Sequence, residues 1–314
     1  RTKIDIPLSI NKINHQHTIV SFGSCFAANI GQKLQQLYFQ ADINPFGVQY
    51  NPLSVFQSVE RLLENKIFAE NELFEHKSLY HSALHDSSFS DISAEKTLQN
   101  INDRYLKAVE KLQNADFLFV TFGTAWVFEQ KESGNIVSNC HKLPAENFVR
   151  RRLTVAEIVE KYTELIKKLK ALNPKLSIVL TVSPVRHFKD GAHENNVSKS
   201  TLLLAVDTLQ KDFDFVSYFP AYEIVMDELR DYRFYAADML HPSEVAIDYV
   251  FQRFVEVYFS PDTQQLIKKL EQYNADKNHR PLHPESAEYQ LFLQNMKKRE
   301  DDIRAAYPLI NIEH

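Results

Sequence analysis

Thr18-Ile19-Val20-Ser21-Phe22-Gly23-Ser24-Cys25-Phe26 is the stretch on which the fold turns. Ile19 to Phe22 is an apolar, β-prone run and Gly23 supplies a tight turn. From Cys25 onward, Phe26, Ile30, Leu34 and Leu37 recur at helical spacing. A buried strand turning sharply into a helix over 25–37 is the opening unit of an α/β domain. It sets a hydroxyl and a thiol, Ser24 and Cys25, at a helix N-terminus, where such domains present nucleophiles.

The same alternation continues down the chain. Asn44-Pro45-Phe46-Gly47 and Asn51-Pro52 are turn signals, and the second opens a helix over 52–63 with proline in its first turn. A helical pattern over 94–112 precedes a β-prone run over 116–122 that stops at Gly123. Then come an amphipathic helix over 155–172, a strand over 176–182 closed by Ser183-Pro184, a helix over 198–212, a strand over 213–219 and a helix over 244–259. Strands separated by helices of this length pair in parallel through right-handed crossovers, so we expect a three-layer α/β/α sandwich. Residues 68–93 are rich in His and Ser with weak periodicity and read as an insertion or long loops over the site. Beyond 260 the composition shifts toward Lys, Glu, Gln and Asn, with helical patterns over 262–273 and 285–306. We therefore divide the chain into a domain over 1–259 and a helical appendage over 260–314. The appendage is expected to pack on the domain or on a second subunit, as in a homo-oligomer.

Composition narrows the function. With 314 residues, 44% of them hydrophobic, the chain can bury a substantial core. Its 36 Lys and Arg against 41 Asp and Glu give a net charge of −5 with no dense basic block, which argues against nucleic acid or an anionic membrane as partner. The two cysteines, Cys25 and Cys140, make no disulfide framework and no Cys-x-x-Cys pair, which fits a reducing compartment such as the cytoplasm. No apolar run has membrane-spanning length and no secretory leader is read, although a start at Arg1 leaves a trimmed leader open. Of only 6 glycines, Gly23, Gly47 and Gly123 each follow a Phe near an expected strand end, where a missing Cβ helps a sharp turn or a close approach.

Far downstream, Ala237-Asp238-Met239-Leu240-His241-Pro242-Ser243 supplies an Asp-x-x-His pair directly before a helix. The carboxylate of Asp238 can hold one imidazole nitrogen of His241 while the other takes a nucleophile's proton. A thiol at a helix N-terminus is expected to have a lowered pKa, and free amides there can hold an oxyanion, so Cys25 is the chemically better nucleophile and Ser24 the other. The plainer readings are a packed Cys25, a capping Ser24, a capping Asp238 and a surface His241. His81, His85, His141, His187 and His193 lie in loop-like stretches and line a polar pocket, pack, or hold a metal. Their spacing lacks the sharpness of a metal motif, so no metal and no cofactor is expected. Arg186 and His187 follow a strand end and suit an anionic or sugar group, or a structural salt bridge. Trp126 is either core or a platform for a flat or sugar-like ligand.

The run Gly23-Ser24-Cys25-Phe26-Ala27 resembles the signature for which the GSCFA family is named. Asn44-Pro45-Phe46-Gly47, Asn51-Pro52-Leu53-Ser54, Gly123-Thr124-Ala125-Trp126, Asn139-Cys140-His141-Lys142 and Ser183-Pro184-Val185-Arg186-His187 add to the likeness, which extends to about residue 259. That family is similar to a divergent branch of the SGNH (GDSL-like) esterases, which implies a flavodoxin-like sheet and acyl chemistry. The superfamily's Gly-Asp-Ser block matches Gly23-Ser24-Cys25, which puts Cys25 at the nucleophile position. Its second-block glycine, an oxyanion donor, resembles Gly47, and its final Asp-x-x-His matches Asp238 and His241. Its Gly-x-Asn block falls at Gly123-Thr124-Ala125, where the asparagine is missing, and Asn44, Thr124 or Trp126 are the residues expected to stand in for it.

These readings converge on an ester hydrolase or acyltransferase working through a covalent acyl-enzyme on an acylated small molecule or carbohydrate. Two alternatives stay open at this point: a non-catalytic glycan or metabolite binder on the same scaffold, and a metal-dependent hydrolase built from the His-rich loops.

Overall fold

A computed structural model describes residues 2–308, 310 and 312. In chain order its elements are β1 (Thr18–Gly23), α1 (Cys25–Gln36), β2 (Gln40–Ile43), α2 (Pro52–Glu64), β3 (Leu73–His76), β4 (Leu79–Ser82), α3 (Ala94–Gln113) and β5 (Phe117–Phe122). They continue with β6 (Trp126–Gln130), β7 (Ile136–Val137), β8 (Phe148–Arg152), α4 (Val155–Leu172), β9 (Ser177–Val182), α5 (Gly191–Asp212) and β10 (Val216–Phe219). A short turn α6 (Ala221–Glu223), α7 (Glu244–Tyr258), α8 (Pro261–Lys277) and α9 (Ala287–Ala306) follow.

The main sheet runs β10-β9-β5-β1-β2 with every pairing parallel. Counting only its own strands, that is the flavodoxin-like order 2-1-3-4-5, and the strand order reverses between β1 and β5. Side chains alternate across the sheet, as a period of two requires. Val20, Phe22, Leu118, Val120, Phe122, Ile178, Leu180 and Val182 join one core with α2, α3, α4 and α5. Ile19, Phe117, Val179 and Phe219 join the other with α1, α7 and α8. The result is the expected three-layer α/β/α sandwich. Residues of α8 such as Leu266, Leu270 and Tyr273 share their cluster with Leu34 of α1 and Phe251 of α7, whereas α9 buries only Ile303.

The helix ends follow local chemistry. Asn51 caps α2 by accepting the Ser54 N–H at 2.8 Å, with Pro52 at the first helical position and Asn65 in the left-handed conformation at the end. Thr154 and Glu157 form a capping box at the start of α4.

Three differences from the sequence reading bear on the site. Residues 68–93 contain the antiparallel β3–β4 hairpin. Between β5 and α4 the chain builds a second antiparallel sheet, β7-β6-β8, that was not anticipated. Helix α5 begins at Gly191, earlier than expected, because its polar first turns carry no apolar periodicity. Edge strand β2 is also new; at four residues, Gln-Ala-Asp-Ile, it is too short and polar to signal itself.

Candidate active site

One cavity of about 420 Å³ opens where the strand order reverses, at the C-terminal ends of the central strands. Ser24 and Cys25 after β1, Thr124 and Trp126 after β5, and Arg186 and His187 after β9 all line it, together with His241. The unanticipated β7-β6-β8 sheet adds Phe128 and Arg150. Gly23 makes the turn into the site. Its φ is +145°, and a Cβ there would lie 2.4 Å from the Thr121 carbonyl oxygen on β5. Only glycine lets β1 run this close to β5 and then release Ser24 and Cys25 into the cavity.

Asp238 and His241 form the expected pair. His241 Nδ1 donates to Asp238 Oδ2 at 2.6 Å, and Asp238 Oδ1 accepts the backbone N–H groups of Leu240 and His241 at 2.9 and 3.0 Å. The two N–H bonds, reinforced by the imidazole, hold the Asp238 carboxyl down at about 2. Both side chains are about half exposed. The loop is pinned by the Tyr235–Pro242 bridge and by the Arg186 N–H, which reaches the Leu240 carbonyl at 3.5 Å. No hydrogen bond joins His241 to Cys25 or Ser24, although all three line the cavity.

Cys25 is the first residue of α1, half-buried and unbonded to Cys140. Its pKa is raised, contrary to the helix-dipole expectation. Burial outweighs the opposing pull of the Phe26 and Cys25 N–H groups and of Lys199. The resting group is a thiol that needs a base. Ser24 occupies the N-cap, but its side chain makes no capping bond and its Oγ is buried without a partner.

Several expected oxyanion donors are engaged inside the fold. The Gly47 N–H donates to the Asn44 carbonyl at 2.8 Å, and those of Gly123 and Thr124 both donate to the Tyr50 carbonyl. Thr124 Oγ1 pairs with Ser198 Oγ at 3.1 Å. Asn44 and Gly47 lie outside the cavity wall. Asn44 Oδ1 instead holds the Gly23 N–H at 2.9 Å, and Gly47, at φ +81°, clears space for the Asp86 carboxylate. Both therefore shape the turn beside the site. The donors left over include the N–H groups at the start of α1 and the side chains of His187 and Trp126. A Cβ on Gly123 would stand 3.3 Å from His187 Nε2, which is buried without a partner. Burial, then the charges of Lys199, His241 and Arg150, bring His187 down to about 4, so its ring is neutral at pH 7.

His141, expected at the ligand site, is also outside the wall. Its Nε2 meets the Ser82 carbonyl at 2.9 Å and its ring packs on His81, which bonds Ser90 in turn. His85 stacks on Phe46 and bonds Ser82 Oγ. Among the described residues no group of three or more His, Cys, Asp or Glu side chains is placed to hold a metal ion.

Sequence reading missed Tyr50, Phe128, Arg150 and Lys189 in the wall, and Lys199 beneath it. Lys199 is 1% exposed, and its Nζ donates to the carbonyls of Gly123 and Ser183 at 2.6 Å each, tying the outlets of β5 and β9 together. Burial, helped by Arg186, lowers its pKa to about 7. A lysine at a core position of α5, flanked by Ser198 and Ser200, was the available signal.

The chain is similar in structure to a Clostridium thermocellum family 3 carbohydrate esterase, at 11% identity, with 81% of this chain and 98% of that chain covered and a TM-score of 0.37. It is similar to a carbohydrate esterase family 3 protein from Talaromyces cellulolyticus, at 8% identity, covering 80% and 97%, with a TM-score of 0.37. An acetyl xylan esterase (Est2A) from the rumen bacterium Butyrivibrio proteoclasticus is similar at 10% identity, covering 81% and 64%, with a TM-score of 0.38. No curated protein matches the chain. Residues 271–314 match the GSCFA domain protein, C-terminal domain. Residues 18–254, which span the sheet, the Gly23–Cys25 turn and the Asp238–His241 pair, match the GSCFA family, and the chain belongs to it.

Proposed function

We propose that the protein is an ester hydrolase or acyltransferase that carries the acyl group on Cys25. The observation that supports this most directly is that Cys25 and His241 line one cavity while Asp238 fixes the imidazole with Nδ1 as donor, leaving Nε2 as the free base. On substrate arrival His241 Nε2 takes the thiol proton and Sγ bonds to the acyl carbon. The carbonyl becomes an oxyanion held by the N–H groups at the start of α1 and by neutral His187, which takes the role of the missing asparagine. Collapse breaks the C–O bond, and the leaving alkoxide takes the proton from His241. Water or an acceptor alcohol then gives its proton to His241, attacks the thioester and releases the thiol. The open dyad admits either acceptor. A thiol nucleophile fits a reducing compartment, and we place the protein in the cytoplasm on that ground.

The experiment is turnover of 4-nitrophenyl acetate with mass spectrometry of the quenched protein. We expect an acetyl group on the peptide bearing Cys25, absent in Cys25→Ala, and loss of turnover in His241→Ala. Wild-type protein with neither adduct nor turnover would overturn this reading. The lack of a Cys25–His241 hydrogen bond and the raised thiol pKa favour the second reading, a binding protein using the same cavity without turnover.

A further inference from the structure

Around the cavity the charges do not balance. Its wall carries Arg150, Arg186 and Lys189 and no carboxylate. Asp190 neutralises Arg150. Arg186 has no such partner: its guanidinium donates to the Asn196 side-chain oxygen at 2.9 Å and to the Met226 sulfur at 3.8 Å, and its Nε is buried without an acceptor. Among the described residues every other arginine except the exposed Arg280 pairs with a carboxylate. Lys189 joins no ion pair and lies 5.3 Å from the Phe128 ring centroid. Beneath the floor, Lys199 is held by two carbonyl oxygens and lies over the Tyr222 ring, with no carboxylate partner.

Most of the unmet groups of the wall share one sense. Trp126 Nε1, Arg150 Nε, Arg186 Nε, His187 Nε2 and Ser24 Oγ are all buried without partners, and three of the five can only donate. A partly buried guanidinium without a counter-ion is costly, and so is a buried donor without an acceptor. Phe128, Phe188 and Trp126 give the same cavity apolar surface. What satisfies all of this together is a small acylated molecule whose oxygens carry negative charge.

We propose that the cavity takes an ester bearing an anionic oxygen group, a carboxylate or a phosphate, close to its acyl carbon, with Arg186 as the counter-ion and Lys189 as a second cation at the rim. The position of the ester rests on Cys25 being the acyl carrier; the anion site needs only the cavity. Arg186 is then a binding residue whose charge is met by substrate.

Trp126 is the only tryptophan in the chain, so its emission reports occupancy without turnover. Cys25→Ala protein is titrated with acetoxyacetate, with 2-acetoxyethyl phosphate and with uncharged methyl acetoxyacetate. We expect at least one anion to bind about tenfold or more tighter than the methyl ester, the scale of a charged hydrogen bond. The tighter anion identifies carboxylate or phosphate. Arg186→Gln should bring the ratio near one, Lys189→Gln should reduce it, and added salt should narrow it. Equal binding of neutral and charged esters overturns the proposal, as does a preference that survives Arg186→Gln. If Arg186→Gln does not fold, a preference indifferent to both Lys189→Gln and salt overturns it. Wild-type turnover is followed in parallel. A charge preference with no turnover keeps the anion site and removes the acyl-carrier reading, whereas turnover with no preference removes the anion site alone.

Discussion

His241 Nδ1 donates to Asp238 Oδ2 across 2.6 Å, while the other oxygen of the same carboxylate holds the backbone of Leu240 and His241. One side chain thus fixes both the loop and the tautomer. Asp238→Asn should lower kcat on 4-nitrophenyl acetate by roughly 10²–10⁴-fold, the cost of a misplaced tautomer. The thermal midpoint should stay close to wild type because the pair is open to water. Wild-type kcat in the variant would show that the contact does not serve catalysis.

Burial holds the Cys25 thiol above its ordinary pKa, so the reactive thiolate is scarce at neutral pH. Alkylation of the Cys25 peptide by iodoacetamide should be slow at pH 7 and should climb with a midpoint above that of free cysteine. A midpoint below it would mean that the amides of α1 outweigh desolvation.

A methyl group at residue 23 has nowhere to go: it would also lie 2.7 Å from Thr121 Cβ. Gly23→Ala should cost about 3 kcal/mol or more by thermal or urea unfolding, combining overpacking with a φ that L-residues avoid. Gly134→Ala is the matched control. Its φ is +70° but nothing lies within 4 Å, so about 1 kcal/mol is expected. Equal losses would show that backbone strain, and not the approach of β1 to β5, sets the requirement.

Lys199 titrates near 7 in the fold against 10.5 for an unburied lysine. Between these values the unfolded chain holds a proton that the folded one lacks, so stability rises with pH across that window and is flat below it. Relative to Lys199→Met, wild type should gain up to about 1.4 kcal/mol per pH unit above about pH 7, in urea unfolding at a series of pH values. A difference independent of pH would show that the lysine stays charged in the fold.

The legible parts of the chain were those with local signals. The bounds of α4 and the start of α2 follow from apolar spacing and from capping by Thr154 and Asn51, both read within a few residues. The β6–β8 wall was not legible, because Trp126–Gln130 and Phe148–Arg152 are short, carry charge on both faces and are paired across an intervening loop. Asn44, Gly47 and His141 matched motifs but lie behind the wall, since a motif gives the residue and not the direction of its groups.

From the amino acids alone came the alternation of strand and helix, the Gly23-Ser24-Cys25 turn and the Asp238–His241 spacing. Each is encoded in hydrophobic period or turn chemistry over a handful of neighbours. Only the folded chain decided that Arg186 lacks a carboxylate, that Lys199 is sealed under the floor and that His187 sits beside Gly123. Those facts depend on which distant segments the crossovers bring together, and on how much water is excluded between them.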